Sequence, residues 1–181
     1  MIDYGAGVKL GPLDSYHCDQ LRVWRNDPKV FRWCRQPTLI SNVEQERWFK
    51  RQSEDPSIQM FSVCLEHEVV GAAGFTSIDP INRRAEFSLY IGPEHQKKHL
   101  GRSALETLFN HGFMALNLNV IWGEVFEGNH AFHLFLKLGM IHEGKRQQFY
   151  FKDGRYWNAD LVSINYAQWK DKSWSFLQRS Y

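Results

Sequence analysis

The chain has 181 residues, enough for one domain with a sizeable core and too few for two comfortable ones. Hydrophobic residues make up 43%, charged residues 23%, and the net charge is +2. That balance excludes a disordered chain and argues against a dedicated nucleic-acid binder. Cys18, Cys34 and Cys64 lie far apart and no H-E-x-x-H spacing occurs, so neither a disulfide framework nor a metal site is expected. The start, Met1-Ile2-Asp3-Tyr4, lacks a basic-then-apolar signal pattern, and no apolar run is long enough to span a bilayer. A cytoplasmic protein with reduced thiols is expected.

The first part reads as mainly helical. Residues 14–26 place Leu21 and Trp24 on one helical face, and Asp27-Pro28 ends the run. Asp27 can cap a short turn over 28–34. Ser41-Asn42-Val43-Glu44 is a capping box that predicts a helix to about Gln52. The period then changes. Residues 60–65 and 69–78 predict strands joined at 66–68, and Asp79-Pro80-Ile81-Asn82 is a second turn. Residues 84–91 predict a third strand, with Ala85, Phe87, Leu89 and Ile91 on one face and Glu86, Ser88 and Tyr90 on the other.

Residues 101–116 form an amphipathic pattern with Leu105, Leu108, Phe109, Gly112, Phe113 and Leu116 in its apolar stripe. A strand at 120–125 and a helix at 130–138, closed by Gly139, follow. Residues 140–151 and 156–165 make a final hairpin around Lys152-Asp153-Gly154-Arg155, whose exposed edge would suit a homodimer. One domain over 1–170 with a tail at 171–181 is expected, of α+β or α/β class.

The junction between strand 84–91 and the helix from Gly101 carries the chemistry. Unpaired N–H groups and the dipole at such a helix start favour a phosphate-bearing ligand. Gln96, Lys97 and Lys98 precede the turn, Gly101 lets backbone approach a ligand, and Arg102 and Ser103 add donors. On loop chemistry alone, an ordinary loop with a solvated basic face fits equally well.

The segment 91–104, Ile-Gly-Pro-Glu-His-Gln-Lys-Lys-His-Leu-Gly-Arg-Ser-Ala, resembles the acetyl-CoA-binding motif of the GNAT acetyltransferase superfamily. That motif is Gln or Arg, two residues, Gly, one residue, then Gly or Ala. Gln96 and Gly101 match it, while His99 stands where the first glycine is usual. Residues 69–75, Val-Val-Gly-Ala-Ala-Gly-Phe, are similar to the family's central strand, and 134–140, Leu-Phe-Leu-Lys-Leu-Gly-Met, to the end of its last helix. Trp24-Arg25-Asn26-Asp27-Pro28, the helix from Ser41, and Lys152-Asp153-Gly154-Arg155 followed by Asp160 resemble one branch. It contains the ribosomal-protein N-terminal acetyltransferases and the amino-sugar acetyltransferase of pseudaminic acid synthesis.

The resemblance implies a mostly antiparallel, mixed sheet of about seven strands flanked by helices and splayed between the fourth and fifth strands. It implies transfer of an acetyl group from acetyl-CoA to a primary amine by direct attack. Gln96, Lys97, Lys98, His99, Leu100, Gly101, Arg102 and Ser103 would hold the pyrophosphate, and backbone N–H groups around Leu89 and Ile91 would polarise the thioester carbonyl. Glu86 is the candidate base, since a primary amine is protonated near neutral pH; a pair with Arg83 or Arg84 on a solvated edge is the competing reading.

The family's tyrosine that protonates the leaving thiolate aligns with Phe135, which has no proton to give, leaving Tyr90, Ser88 or a water, or departure of the thiolate as the anion, since thiols are fairly acidic. The usual asparagine aligns with Gly128, and Asn129 stands one residue late. Trp24, Arg25, Asn26, Trp33 and Trp157 are candidate acceptor-site residues, with core packing as the alternative for the tryptophans. The acceptor expected is a small amine such as a nucleotide-linked amino sugar, with a protein N-terminus as the alternative. A non-catalytic acyl-CoA-binding module is the competing function.

Overall fold

From residue 59 onward the chain forms six strands, and with one short strand near the start they make a single seven-stranded sheet. The computed structural model describes residues 1–177, with side chains to residue 171. The order is β1 (Lys9–Pro12), α1 (Cys18–Asn26), α2 (Pro28–Phe31), α3 (Asn42–Glu54), β2 (Gln59–Leu65), β3 (Glu68–Asp79), β4 (Arg84–Ile91), α4 (Leu100–Met114), β5 (Val120–Phe126), α5 (Ala131–Lys137), β6 (Ile141–Lys152), β7 (Arg155–Asn165) and α6 (Tyr166–Leu177). Across the sheet the strands run β1-β2-β3-β4-β5-β7-β6, antiparallel except for the parallel pair β4 and β5. Among the described residues no helix is long and apolar enough to cross a membrane.

Local chemistry sets the boundaries. The Ser41 hydroxyl accepts from the Glu44 N–H at 3.3 Å, and the Glu44 carboxylate accepts from the Ser41 N–H at 2.8 Å, so α3 begins at the predicted capping box. Asp27 caps α2 by accepting from the Lys29 N–H at 2.8 Å. The Asp79 carboxylate accepts from the N–H groups of Ile81 and Asn82 and closes the turn before β4.

Two elements depart from the expected order. β1 is a strand inside the part read as helical; its four residues, Lys-Leu-Gly-Pro, carry no periodic signal, and pairing with β2 makes them a strand. α6 crosses the expected domain end at 170: Trp169 is buried, and its indole donates to Asn110 at 2.8 Å. Of the expected tail 171–181, residues 178–181 lie outside the described residues.

The sheet is covered on both faces. On one, α4 buries Leu105, Leu108 and Phe109 against Phe75, Phe87 and Ile121. On the other, Leu21 and Trp24 of α1 pack with Met60 and Ala72, and Tyr90 packs against that smaller cluster. The faces of β4 follow the alternation read from its sequence.

The feature that positions the site is an interruption. β4 and β5 pair only at Arg84 with Val120, Ala85 with Ile121 and Glu86 with Trp122. Beyond Glu86 the strands diverge, and β5 continues to Phe126 alongside β7 alone. At the fork Phe87 lies over Gly123, where an added methyl would stand 2.5 Å from the ring. Phe87 is also wedged edge-on between Phe109 and Phe135. It therefore has little room to yield, and Gly123→Ala should cost about 1–3 kcal/mol, the usual penalty of overpacking. Urea unfolding checks this; an unchanged midpoint would show that the ring moves freely.

Candidate active site

The divergence opens a cleft of about 470 Å³ lined by β4, β5, the segment after α1, and the start of α5. Strand alternation divides its walls. Glu86, Ser88 and Tyr90 face the α1–α2 side, where Arg25, Trp33 and Arg35 also line the space. Leu89 and Ile91 face α4 and α5, where Asn129, Leu134 and Phe135 line it.

Glu86 is buried and accepts a 2.6 Å hydrogen bond from the Arg35 guanidinium, with the Thr76 hydroxyl at 3.4 Å. Arg83 bonds Asn117 and Arg84 bonds Asp79, so neither is the partner the competing reading gave Glu86. Burial raises the Glu86 carboxyl above its ordinary range, and Arg35 pulls it back down. Glu124 is a second buried carboxylate in the cleft. It accepts from Arg146 at 2.7 Å and from the Tyr150 hydroxyl at 2.5 Å. Burial pushes up the Tyr150 phenol, and that bond to Glu124 adds to the rise.

Arg35 sits in a segment without regular structure, and Lys152 fixes it. The Lys152 ammonium is buried, donates to the carbonyls of Phe31 and Cys34 at 2.5 and 2.7 Å, and lies 3.9 Å from the centre of the Phe31 ring. The hairpin β6–β7 thus anchors the residue immediately before Arg35.

The loop ahead of α4 has an unusual start. His99 adopts the left-handed conformation, φ 60° and ψ 4°, which the usual glycine would take without strain and which histidine tolerates better than most residues. α4 has no side-chain cap and no acidic residue in its first turn, whereas α3 has both. An anion at that end would serve as its cap. Lys97 also has positive φ, and Lys97, Lys98 and His99 are exposed. The Gln96 side chain donates to the Ile91 carbonyl at 3.1 Å, tying the loop to the end of β4. Leu100 is buried, Arg102 pairs with Glu106, and the Ser103 N–H is already bonded to the His99 carbonyl. A methyl at Gly101 would touch Leu89, Ile91 and Leu134 at 3.7–4.0 Å, so nothing inside the chain requires glycine there.

Phe135 is buried against Phe87 and borders the cleft. Asn129 also lines it, with its oxygen accepting from the Ala131 N–H at 3.0 Å as α5 begins. Of the expected acceptor residues, Arg25 and Trp33 line the cleft. Three do not. Trp24 is buried under Gly92 and donates to Glu94 at 2.8 Å. Asn26 is spent on both backbone groups of Ile40. Trp157 stacks on Phe126 and donates to the Lys152 carbonyl. Each fastens the structure around the cleft.

Arg35, Glu124, Tyr150 and Lys152 also belong to the cleft or its support, and the sequence pattern does not mark them. No motif surrounds Arg35 or Tyr150, and they meet Glu86 and Glu124 only through tertiary packing. Lys152 stood in the quoted hairpin motif, but its burial is set by contacts with residues more than a hundred positions away. Lys152→Met should cost about 1–3 kcal/mol by leaving two carbonyls unsatisfied, and should lower turnover by freeing Arg35. Thermal unfolding and a rate assay check it; full stability would remove the anchoring role.

The residues 8–141 match the acetyltransferase (GNAT) domain family. The chain is 31% identical over 158 residues to spermidine N(1)-acetyltransferase of Escherichia coli, covering 87% of this chain and 85% of that one. It is 26% identical over 117 residues to acetyltransferase PseH of Campylobacter jejuni (65% and 71% covered). To ribosomal-protein-serine acetyltransferase of Escherichia coli it is 29% identical over 107 residues (58% and 59% covered). Its fold superposes on a spermidine N-acetyltransferase of Vibrio cholerae crystallised with CoA and spermine, with a TM-score of 0.86, 24% identity, and 91% and 99% of the chains covered. With the splayed strands and the uncapped α4 start, these similarities make the chain a member of the GNAT family, an N-acetyltransferase that uses acetyl-CoA as its donor.

Proposed function

We propose that the chain acetylates a small primary amine and that Glu86 is the base. The observation that carries this is the placement of a buried carboxylate, raised above its ordinary range, at the fork of β4 and β5. Acetyl-CoA supplies an activated acyl group on sulfur. The amine nitrogen forms the new bond to the acyl carbon, the carbon–sulfur bond breaks, and the proton lost by the amine passes to Glu86, directly or through a water. N–H groups around Leu89 and Ile91 favour the negative charge that develops on the thioester oxygen. Gln96, Lys97, Lys98 and the α4 start with Gly101, Arg102 and Ser103 hold the pyrophosphate, and Asn129 and Phe135 border the acyl arm.

The leaving thiolate receives no proton from Phe135. Burial drives the Tyr90 phenol far above its ordinary range, which makes it a poor acid, and Tyr150 already donates to Glu124. The thiolate leaves as the anion and is protonated by water, while Ser88 and Tyr90 shape the acceptor side. Spermidine is the acceptor named for the Escherichia coli relative, which supports a small primary amine rather than a protein N-terminus as the acceptor class.

A base works only when deprotonated, so the rate should rise with pH through the raised titration of Glu86. Glu86→Gln should remove that acidic limb and lower turnover by roughly 10²–10⁴-fold, the range for general-base catalysis. Arg35→Gln removes the charge that holds the carboxyl down, so the limb should move to higher pH. A Glu86→Gln profile that keeps the limb would eliminate Glu86 as base.

The sheet ends on β6, where Ile141, Phe149 and Phe151 are exposed. An open apolar edge of this kind suits pairing with a second copy. Light scattering should therefore give a mass above one chain, and a monomer at micromolar concentration would remove the edge as an interface.

A further inference from the structure

The charges of the acceptor wall do not balance. Two carboxylates, Glu86 and Glu124, line the cleft, and each already holds an arginine, Arg35 and Arg146. Two further cations, Arg25 and Lys29, line the same cleft with no carboxylate partner among the described residues. A polyamine would enter a site whose negative groups are taken and whose spare groups are positive. Like charges brought together in a confined, partly buried space oppose binding.

Arg25 is also held ready. Its guanidinium lies 5.4 Å from the centre of the Tyr90 ring, and its Nε and Nη2 both donate to the side-chain oxygen of Gln36. The Gln36 amide in turn donates to the Arg25 carbonyl at 3.4 Å. This fixes the plane of the fork and leaves Nη1 for a ligand. Tyr90 shares its strand face with Glu86, so the fixed cation and the proposed base act on the same molecule. Leu89, Ile91 and α5, the side given to the acyl donor, lie across the strand.

We propose that the acceptor carries an anionic group, a carboxylate or a phosphate, beside its primary amine, and that Arg25 and Lys29 bind that group while the amine reaches Glu86. This rests on the acetyl-transfer reading above and makes the acceptor's charge opposite to that of spermidine. Arg25 supplies a directed N–H donor and Lys29 a point charge that adapts to either anion.

The test is thiol release from acetyl-CoA with matched amines. Glucosamine 6-phosphate against glucosamine reads the phosphate; 4-aminobutyrate against its amide reads the carboxylate; spermidine is the polycation. In at least one pair the anionic member should have kcat/KM higher by about tenfold or more, the least that one charge-assisted hydrogen bond supplies. It should also exceed spermidine. Lys29→Met, at an exposed position, and Arg25→Gln should each shrink that ratio, with the loss in the acceptor's KM and the KM for acetyl-CoA unchanged. Arg25→Lys should restore part of it. Spermidine as the best substrate, or a ratio equal in wild type and both variants, overturns the proposal and leaves acetyl transfer standing. Absence of thiol release with every one of these amines overturns the small-amine reading as well.

Discussion

The structure depends on where the β4–β5 pairing stops. Three paired positions are enough to hold the two strands in one sheet, and the break after Glu86 leaves the backbone groups on the β5-facing edge of β4 unpaired while its other edge stays bonded to β3. A continuous ladder would satisfy those groups internally and leave no room for a ligand. Packing fills the break: Phe87 occupies the space over Gly123, and Phe109 and Phe135 hold the ring there. Everything proposed for catalysis is arranged about this point. Glu86 is the last paired residue, and Leu89 and Ile91 lie on the freed stretch.

Electrostatics then sets the balance at the fork. A buried carboxylate without a partner would be too costly to keep charged, and one fully neutralised would be too weak a base. Arg35, half exposed and hydrogen-bonded to Glu86 at 2.6 Å, stands between these limits. Its position comes from a distant element, since Lys152 on the β6–β7 hairpin grips the carbonyls just ahead of it. The hairpin is therefore tied to the chemistry of the site through backbone hydrogen bonds, and it also brings Tyr150 to Glu124.

The loop from Gln96 to Ser103 illustrates how a motif tolerates a substitution. Its geometry requires a left-handed residue ahead of α4, and His99 supplies that conformation in place of glycine. The helix start stays free of any side-chain cap. His99 thus holds a left-handed turn ahead of an uncapped helix start while its side chain faces solvent.

Much of this is legible in the sequence. Strand alternation alone put Glu86, Ser88 and Tyr90 on one face of β4, because a period of two admits no other arrangement in a sheet. The capping box fixed the start of α3, and the stripe of Leu105, Leu108 and Phe109 fixed the buried side of α4, since local hydrogen bonds and helical period are properties of neighbouring residues. β1 was not legible, because four residues with Gly and Pro become a strand only against β2. Nor were the roles of Trp24, Asn26 and Trp157, residue types that serve core and cleft alike. The sequence by itself determined the element types, the faces of β4 and the family of the loop. Only the tertiary structure decided that Arg35 and not Arg83 or Arg84 meets Glu86, and that Arg25 and Lys29 have no carboxylate partner among the described residues. Pairing between charges depends on distance through space, which residues far apart in the chain acquire only when the sheet and its helices close around them.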